Sequence, residues 1–516
     1  MSKSINWLLI LLVFVAVSCG NNVHKGEIQD PDEDLLPDRD EAEDPDENDD
    51  SDHDAAQDDE ALFNLKVTEN EKNLLSCSLT FSTKEERKTF VKYYSEVHAG
   101  YKIVEDSAKT EHHFFLWGMR ENNNYKIEIY SDETEPELLA TAEFRSSIVP
   151  ASFAAPHVVK YDKKRAQPGF LILAQQSLIR PEDMKAEIFM VDNEGFIVWY
   201  YQHYVPGYAL LGDPMYHENT RTISMGIQKG PNMGEIPAED GIEIDLEGNL
   251  VWKSPDFYGY TYSETTWHHQ YSVLDDGTVL FIKPQIQNQV IADRIVNVDR
   301  DYNELWNWGY FDLPDYFNNI TCADPDNDWC DWTHTNSVMM FKDENLVYFN
   351  SLWLGFYKLD MNTKKILWNF GKNGDFRMLS EHENPWPDGS HAPEFYDASK
   401  KRVVFFDNGM KERNYSRVIE YEIDEEAMTA AITFEYDGKK DGRGWWARNG
   451  WGDVDYLENG NILVTKGQVD PPDNSSVFEV THDGEVVWEL YTRQDESVSI
   501  LLYNVFKFVP PLESLE

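Results

Sequence analysis

The chain has 516 residues, 41% of them hydrophobic and 14% aromatic, enough for a large apolar core beside a smaller module. Its formal charge of −49 would repel phosphate, which excludes nucleic acid and anionic membrane surfaces as partners.

Residues 1–19 read as an export leader: Lys3 precedes an apolar run from Trp7 to Val17 that is too short to cross a bilayer and ends in Ala16-Val-Ser-Cys19. A cysteine at the cleavage point resembles a lipobox, with Ala16 where leucine is commoner. Cys19 is therefore the expected lipidation site, and the lipid the only membrane contact. Neither Gly20 nor Asn21 resembles the acidic signal that retains lipoproteins at the inner membrane, so the expected location is the cell envelope, at the outer membrane, facing the periplasm or the surface. Residues 20–60 are dominated by Asp, Glu, Pro and Asn, cannot bury enough apolar surface to fold, and are expected to form an extended acidic tether.

Residues 61–149 alternate apolar and polar in short runs such as Leu75–Phe81, Phe114–Trp117 and Tyr125–Tyr130, which predicts a small β-sandwich resembling a fibronectin type III module. His112 and His113 are read as structural there, and Cys77 as a buried thiol.

From residue 150 to 516 one phrase recurs six times, between about residues 156 and 491. The clearest copy runs from His269 through a turn at Asp275-Asp276-Gly277, then Thr278–Ile282, Arg294–Val298 and Glu304-Leu-Trp306, four short strands in all. Second strands are predicted at Gly169–Leu173, Arg221–Met225, Thr278–Ile282, Leu346–Phe349, Arg402–Phe406 and Asn461–Val464. Trp199, Trp252, Trp306, Trp368 and Trp488 mark the closing strands, with Phe434 in the fifth copy, and are read as packing between blades. The predicted fold class is all-β: a six-bladed β-propeller preceded by the sandwich. Cys322 and Cys330, in an Asp- and Asn-rich loop, are expected to form a disulfide in an oxidising compartment.

First strands of a propeller line its channel, so residues at equivalent early positions meet. Alignment on the first turns brings together His269, His334 and His391, with Gly452 in the last blade, where a small residue would leave room for a ligand. His217 falls at the other end of its sheet and is set aside; His268 should point to the opposite face in a regular strand and is kept as a secondary substrate-binding candidate. Three imidazoles on separate blades stand too far apart to reach one metal ion at about 2 Å, whereas a tetrahedral oxyanion fits between them. No metal or cofactor is expected.

Blades three to six resemble the bacterial aryl-sulfate sulfotransferases. The shared phrases are His334-Thr-Asn336-Ser-Val338, Phe406-Asp407-Asn408-Gly409 after the His391 strand, Tyr415–Tyr421 and Gly452–Val464. The resemblance implies transfer of a sulfuryl group from an aryl sulfate donor to a phenolic acceptor through a sulfohistidine, without cofactor. It implies His391 as nucleophile, with His269, His334 and Asn336 holding the sulfuryl oxygens. Trp353, Trp445 and Trp446 are candidates to stack on the aryl rings. Two departures stand out. No arginine follows the His-x-Asn segment, where this chain reads Phe349-Asn-Ser351-Leu-Trp353, and no aspartate follows His391, which is succeeded by Ala392-Pro393. Arg448, Lys466 or Lys229 would have to supply the cation from another blade. The alternative is a propeller without turnover that binds sulfated or aromatic ligands or serves as an envelope scaffold; a homodimer is compatible with either reading.

Overall fold

Runs of β-branched and aromatic residues broken by Asp- and Gly-containing turns fold here almost entirely as antiparallel strands. The computed structural model describes residues 62–153, 156–177, 185–204, 208–230, 238–255, 257–258, 267–313, 330–413, 415–438, 452–466, 476–492, 500–501 and 504–515. The leader, Cys19 and the acidic tether lie outside the described residues.

Five sheets each use four strands in chain order. One comprises Tyr208–His217, Thr222–Gly230, Ala238–Asp245 and Leu250–Lys253. The next begins with His268–Val273, Val279–Gln287 and Val290–Val298 and ends at Glu304–Gly309. Thr335–Phe341, Leu346–Ser351, Gly355–Asp360 and Lys365–Phe370 follow, and then Ser390–Phe395, Arg402–Asp407, Arg417–Asp424 and Thr429–Tyr436. The last is Asp453–Tyr456, Ile462–Lys466, Ser476–Val480 and Val486–Thr492. First strands of successive sheets neighbour one another, the arrangement of a β-propeller with those strands innermost.

The remaining sheet carries the seam. Its strands Phe170–Ser177, Lys185–Val191 and Ile197–Tyr204 take their innermost partner, Val505–Phe508, from the far end of the chain. Pro156–Tyr161, where the repeat pattern starts, instead pairs with Val486–Thr492 as the outermost strand of the last sheet. The carboxylate of Asp453 accepts a hydrogen bond from the Val505 backbone, joining the innermost strands across the closure.

The marker tryptophans show how neighbouring sheets hold together. Trp199 donates its indole N–H to Leu246 O at 2.7 Å, Trp252 to Arg300 O at 3.1 Å, and Trp306 to Met361 O at 3.0 Å. Each acceptor lies in the turn between the third and fourth strands of the following sheet. Trp488 repeats the contact across the seam, to Asn193 O at 2.7 Å. The indole of Trp368 is buried without such a partner, and Phe434 has none to offer.

Residues 63–145 form two further sheets: Phe63–Glu69, Cys77–Arg87 and Lys109–Leu116 make one, and Tyr101–Val104, Thr89–Tyr94, Asn124–Ser131 and Leu138–Arg145 the other. The C-terminal pair Glu513–Ser514 adds to the edge at Tyr101–Lys102. Leu79, Val91, Phe114 and Ile127 between these sheets belong to the same buried cluster as Phe170, Trp199 and Ile223 of the propeller, and residues 61–516 form one compact unit. His112 is buried against Phe81 with Nδ1 on Glu105 at 2.8 Å.

Candidate active site

The inner strands are irregular where the histidines sit. Pairing register shifts between His268 and Tyr271, between Thr335 and Ser337, and between His391 and Glu394. The backbone is left-handed at His269 (φ 59°), His334 (φ 46°) and Ala392 (φ 45°). Three bulges at equivalent places re-aim the side chains that a regular strand would alternate.

His269, His334 and His391 form one cluster. The rings of His269 and His334 lie 4.9 Å apart, and the charge of His391 acts on His269. His268 joins them rather than facing away, because the bulge cancels the alternation expected of a regular strand: its Nδ1 is 2.7 Å from Nδ1 of His269. His217 stays out, with Nε2 on Ser224 Oγ at 2.7 Å.

His391 is 2% exposed, and its Nδ1 lies 2.8 Å from Asn408 Oδ1. A carbonyl oxygen only accepts, so Nδ1 carries the proton and Nε2 keeps its lone pair. Nε2 is buried with no hydrogen-bond partner. Burial lowers the pKa of this ring to about 4, helped by the charge of His334 and opposed by Asn408 and the Gly389 backbone.

His334 is tuned the other way. Burial works against its cation, but Asp331 Oδ2, 2.5 Å from Nδ1, outweighs burial and raises the pKa above the ordinary histidine value. Burial drives His269 well below that value, and the neighbouring imidazoles add to the effect.

Asn336 is 6% exposed and donates to Ser390 O at 2.8 Å; Asn350 donates to the same carbonyl at 2.6 Å and to Asn336 Oδ1 at 2.9 Å. Both amides thus clamp the backbone immediately before His391. Asn350 and Ser351 fill the stretch where the resemblance calls for arginine, and both are buried. Behind the next strand, Asp407 binds Arg413 at 2.7 Å and Arg417 at 2.9 Å, which commits those cations to the scaffold.

Trp353 stands 6.0 Å from the His334 ring, with Lys411 Nζ 4.7 Å from its own ring centre. Both line a cavity of about 450 Å3 with Phe370, Trp386, Ser390 and Arg413. Arg448, Trp445 and Trp446 lie outside the described residues, as does the side chain of Lys229; Lys466 is buried. Gly452 has a packing reason of its own: at φ 131° an added Cβ would sit 2.4 Å from the Phe406 ring.

Cys77 is a free buried thiol. Cys322 lies outside the described residues, so its pairing with Cys330 remains an expectation. Among the described residues no group of three or more His, Cys, Asp or Glu is arranged to hold a metal ion.

Sequence reasoning missed the braces Asp331, Asp293 and Asn408. Asn408 lay within a quoted phrase and Asp331 three residues before His334, but Asp293 is 25 residues from the histidine it holds, without a local signal.

These features define a β-propeller with an imidazole cluster on consecutive inner strands, one ring of which, His391, is buried and presents an unprotonated nitrogen. The family model Arylsulfotransferase (ASST) matches residues 156–499, more than half of the chain. The chain belongs to the arylsulfotransferase family, which implies a sulfotransferase-like enzyme with an aryl sulfate donor and a phenolic acceptor. No curated protein matches it. Among solved structures it is similar to the periplasmic gluconolactonase of Pseudomonas aeruginosa, at 11% identity over 83% of this chain and 100% of that one, with a TM-score of 0.34. It is also similar to BamB of Moraxella catarrhalis, at 11% identity over 67% and 100%, with a TM-score of 0.31. A third likeness is to the β-propeller domain of Cps50 from Myceliophteria thermophila, at 8% identity over 66% and 90%, with a TM-score of 0.34. Likenesses this distant carry no further argument.

Proposed function

We propose that the protein transfers a sulfuryl group from an aryl sulfate to a phenol in two steps through a sulfohistidine at His391. The observation that carries this reading is the His391 ring itself: Nδ1 is held by Asn408, and Nε2 is buried, unprotonated and without a partner. A neutral imidazole so oriented is a competent nucleophile, and two displacements replace one harder one. The resulting N-sulfo group develops negative charge on three oxygens. His334, whose cation Asp331 favours, supplies a positive donor close by when protonated and so stands in for the missing arginine. Asn336 and Asn350 fix the backbone that carries the nucleophile, and Trp353 and the adjoining cavity offer an aromatic surface for the phenol ring.

The reading extends to the parts outside the described residues: lipidation at Cys19, an outer-membrane location, and a Cys322–Cys330 disulfide closing the loop before His334.

Steady-state assays with a nitrophenyl sulfate and a phenol test it. Ping-pong kinetics are expected, with His391→Ala abolishing nitrophenol release and His334→Ala slowing it about 100-fold, the typical cost of one oxyanion donor. A binding protein without turnover is the second reading, favoured by Asn350 and Ser351 standing where a cation is expected. Saturable binding of aryl sulfates with no phenol release would select it.

A further inference from the structure

Behind His269 stands an acid–base unit that the transfer to His391 does not use. Asp293, on the strand Val290–Val298, is buried and accepts hydrogen bonds from three directions: His268 Nε2 at 2.9 Å, Thr333 Oγ1 at 2.6 Å and the Thr335 backbone N–H. Thr335 belongs to the first strand of the following sheet and Thr333 to the segment that leads into it, so the carboxylate is fixed from both sides. His268 continues the line, with its Nδ1 2.7 Å from Nδ1 of His269.

We propose that Asp293, His268 and His269 form a proton relay that protonates the departing aryl oxygen and takes a proton back from the acceptor phenol. The proposal rests on the sulfohistidine reading and assigns the proton traffic which that reading leaves open. His269 is the catalytic residue; His268 and Asp293 position and charge it.

The contact between two Nδ1 atoms needs one donor and one acceptor, which leaves two proton states. In the empty state His268 donates from Nε2 to Asp293 and accepts at Nδ1 from His269, so His269 Nε2 holds a lone pair. In the loaded state His268 carries both protons and donates to His269 Nδ1, so His269 Nε2 holds the hydrogen. The added charge then rests on His268 beside a carboxylate. His269 itself is a poor place for it, since burial and the surrounding imidazoles oppose its cation. Asp293 stays ionised although burial favours its neutral form, because His268, Thr333 and Thr335 together hold its pKa down.

The cycle balances without a co-reactant. In the first half, the N–S bond to His391 Nε2 forms and the aryl O–S bond breaks. The aryl oxygen keeps the bonding electrons and takes the hydrogen from His269 Nε2, leaving the relay empty. In the second half, the acceptor oxygen forms its bond to sulfur as the N–S bond breaks, and its proton returns to His269 Nε2. The relay is loaded again for the next donor.

The test compares two donors in single turnover on the full chain, following the sulfuryl adduct on His391. With phenyl sulfate, whose leaving oxygen needs a proton, Asp293→Asn and His268→Gln are each expected to slow adduct formation about 100-fold, within the usual range for general acid catalysis. With 4-nitrophenyl sulfate, whose leaving oxyanion is stable unprotonated, both variants should lose far less than with phenyl sulfate, and the rate that remains also reports an intact fold. Asp293→Glu should restore part of the phenyl sulfate rate. Equal losses with both donors, or none with either, overturn the relay alone. A wild-type enzyme that forms no adduct from either donor overturns the sulfohistidine reading and the relay with it.

Discussion

At His391 one proton must choose between two ring nitrogens, and Asn408 decides the choice. Burial and the nearby His334 disfavour a second proton until the pH falls to about 4. The unprotonated form, the nucleophile of the proposed transfer, therefore persists through the range in which an exposed histidine would be lost, and the acid limb of kcat/KM is expected near pH 4. His334 has the opposite sign. Asp331 raises its pKa against burial, so its cation is present below that raised value and lost as the pH climbs through it. The alkaline limb should therefore lie above the ordinary histidine value of about 6.5. Asp331→Asn removes the raising carboxylate and should move the alkaline limb toward acid while leaving the acid limb in place; a limb that does not move contradicts the assignment of charge to His334.

The repeated element is the sheet and the tryptophan on its closing strand. Trp488 and Trp368 are both fully buried, but only Trp488 gives its indole hydrogen to the next sheet, at Asn193 O. Replacement by phenylalanine removes the same volume at each site. Trp488→Phe should therefore cost about 1 kcal/mol more than Trp368→Phe in denaturant unfolding, the usual worth of one hydrogen bond. Equal costs would show that these contacts only fill space. Much of this level was legible in the sequence: the second strands at Leu346–Phe349 and Arg402–Phe406 fall within the observed ones, Thr278–Ile282 does so from its second residue on, and equivalent positions placed His269, His334 and His391 together. The bulges were not legible, because a left-handed histidine has no sequence mark comparable to glycine, and His268 was expected on the wrong face for that reason. Nor did period and strand count reveal that Asn336 spends its amide on Ser390 O, a contact 54 residues away in the chain.

For the molecule between residues 61 and 516, the closure is the feature that composition could not announce. The last described residues serve twice, Val505–Phe508 as the innermost strand of the seam sheet and Glu513–Ser514 on the edge of the N-terminal sheets. A chain shortened by residues 504–516 would expose the inner edge of Phe170–Ser177 and break a core shared by both parts. Full-length protein is expected to melt in one calorimetric transition, and the shortened chain to lose that cooperative transition; two separate transitions in the full chain would contradict the shared core. The same ring holds the inner strands side by side, and the proposed chemistry depends on His391 meeting sulfur from that frame. The most direct measurement is peptide mass after exposure of the purified protein to an aryl sulfate without acceptor. One sulfuryl increment on the peptide containing His391, discharged when a phenol is added, is the predicted result. Phenol release without that increment, or an increment on a different residue, would contradict the account.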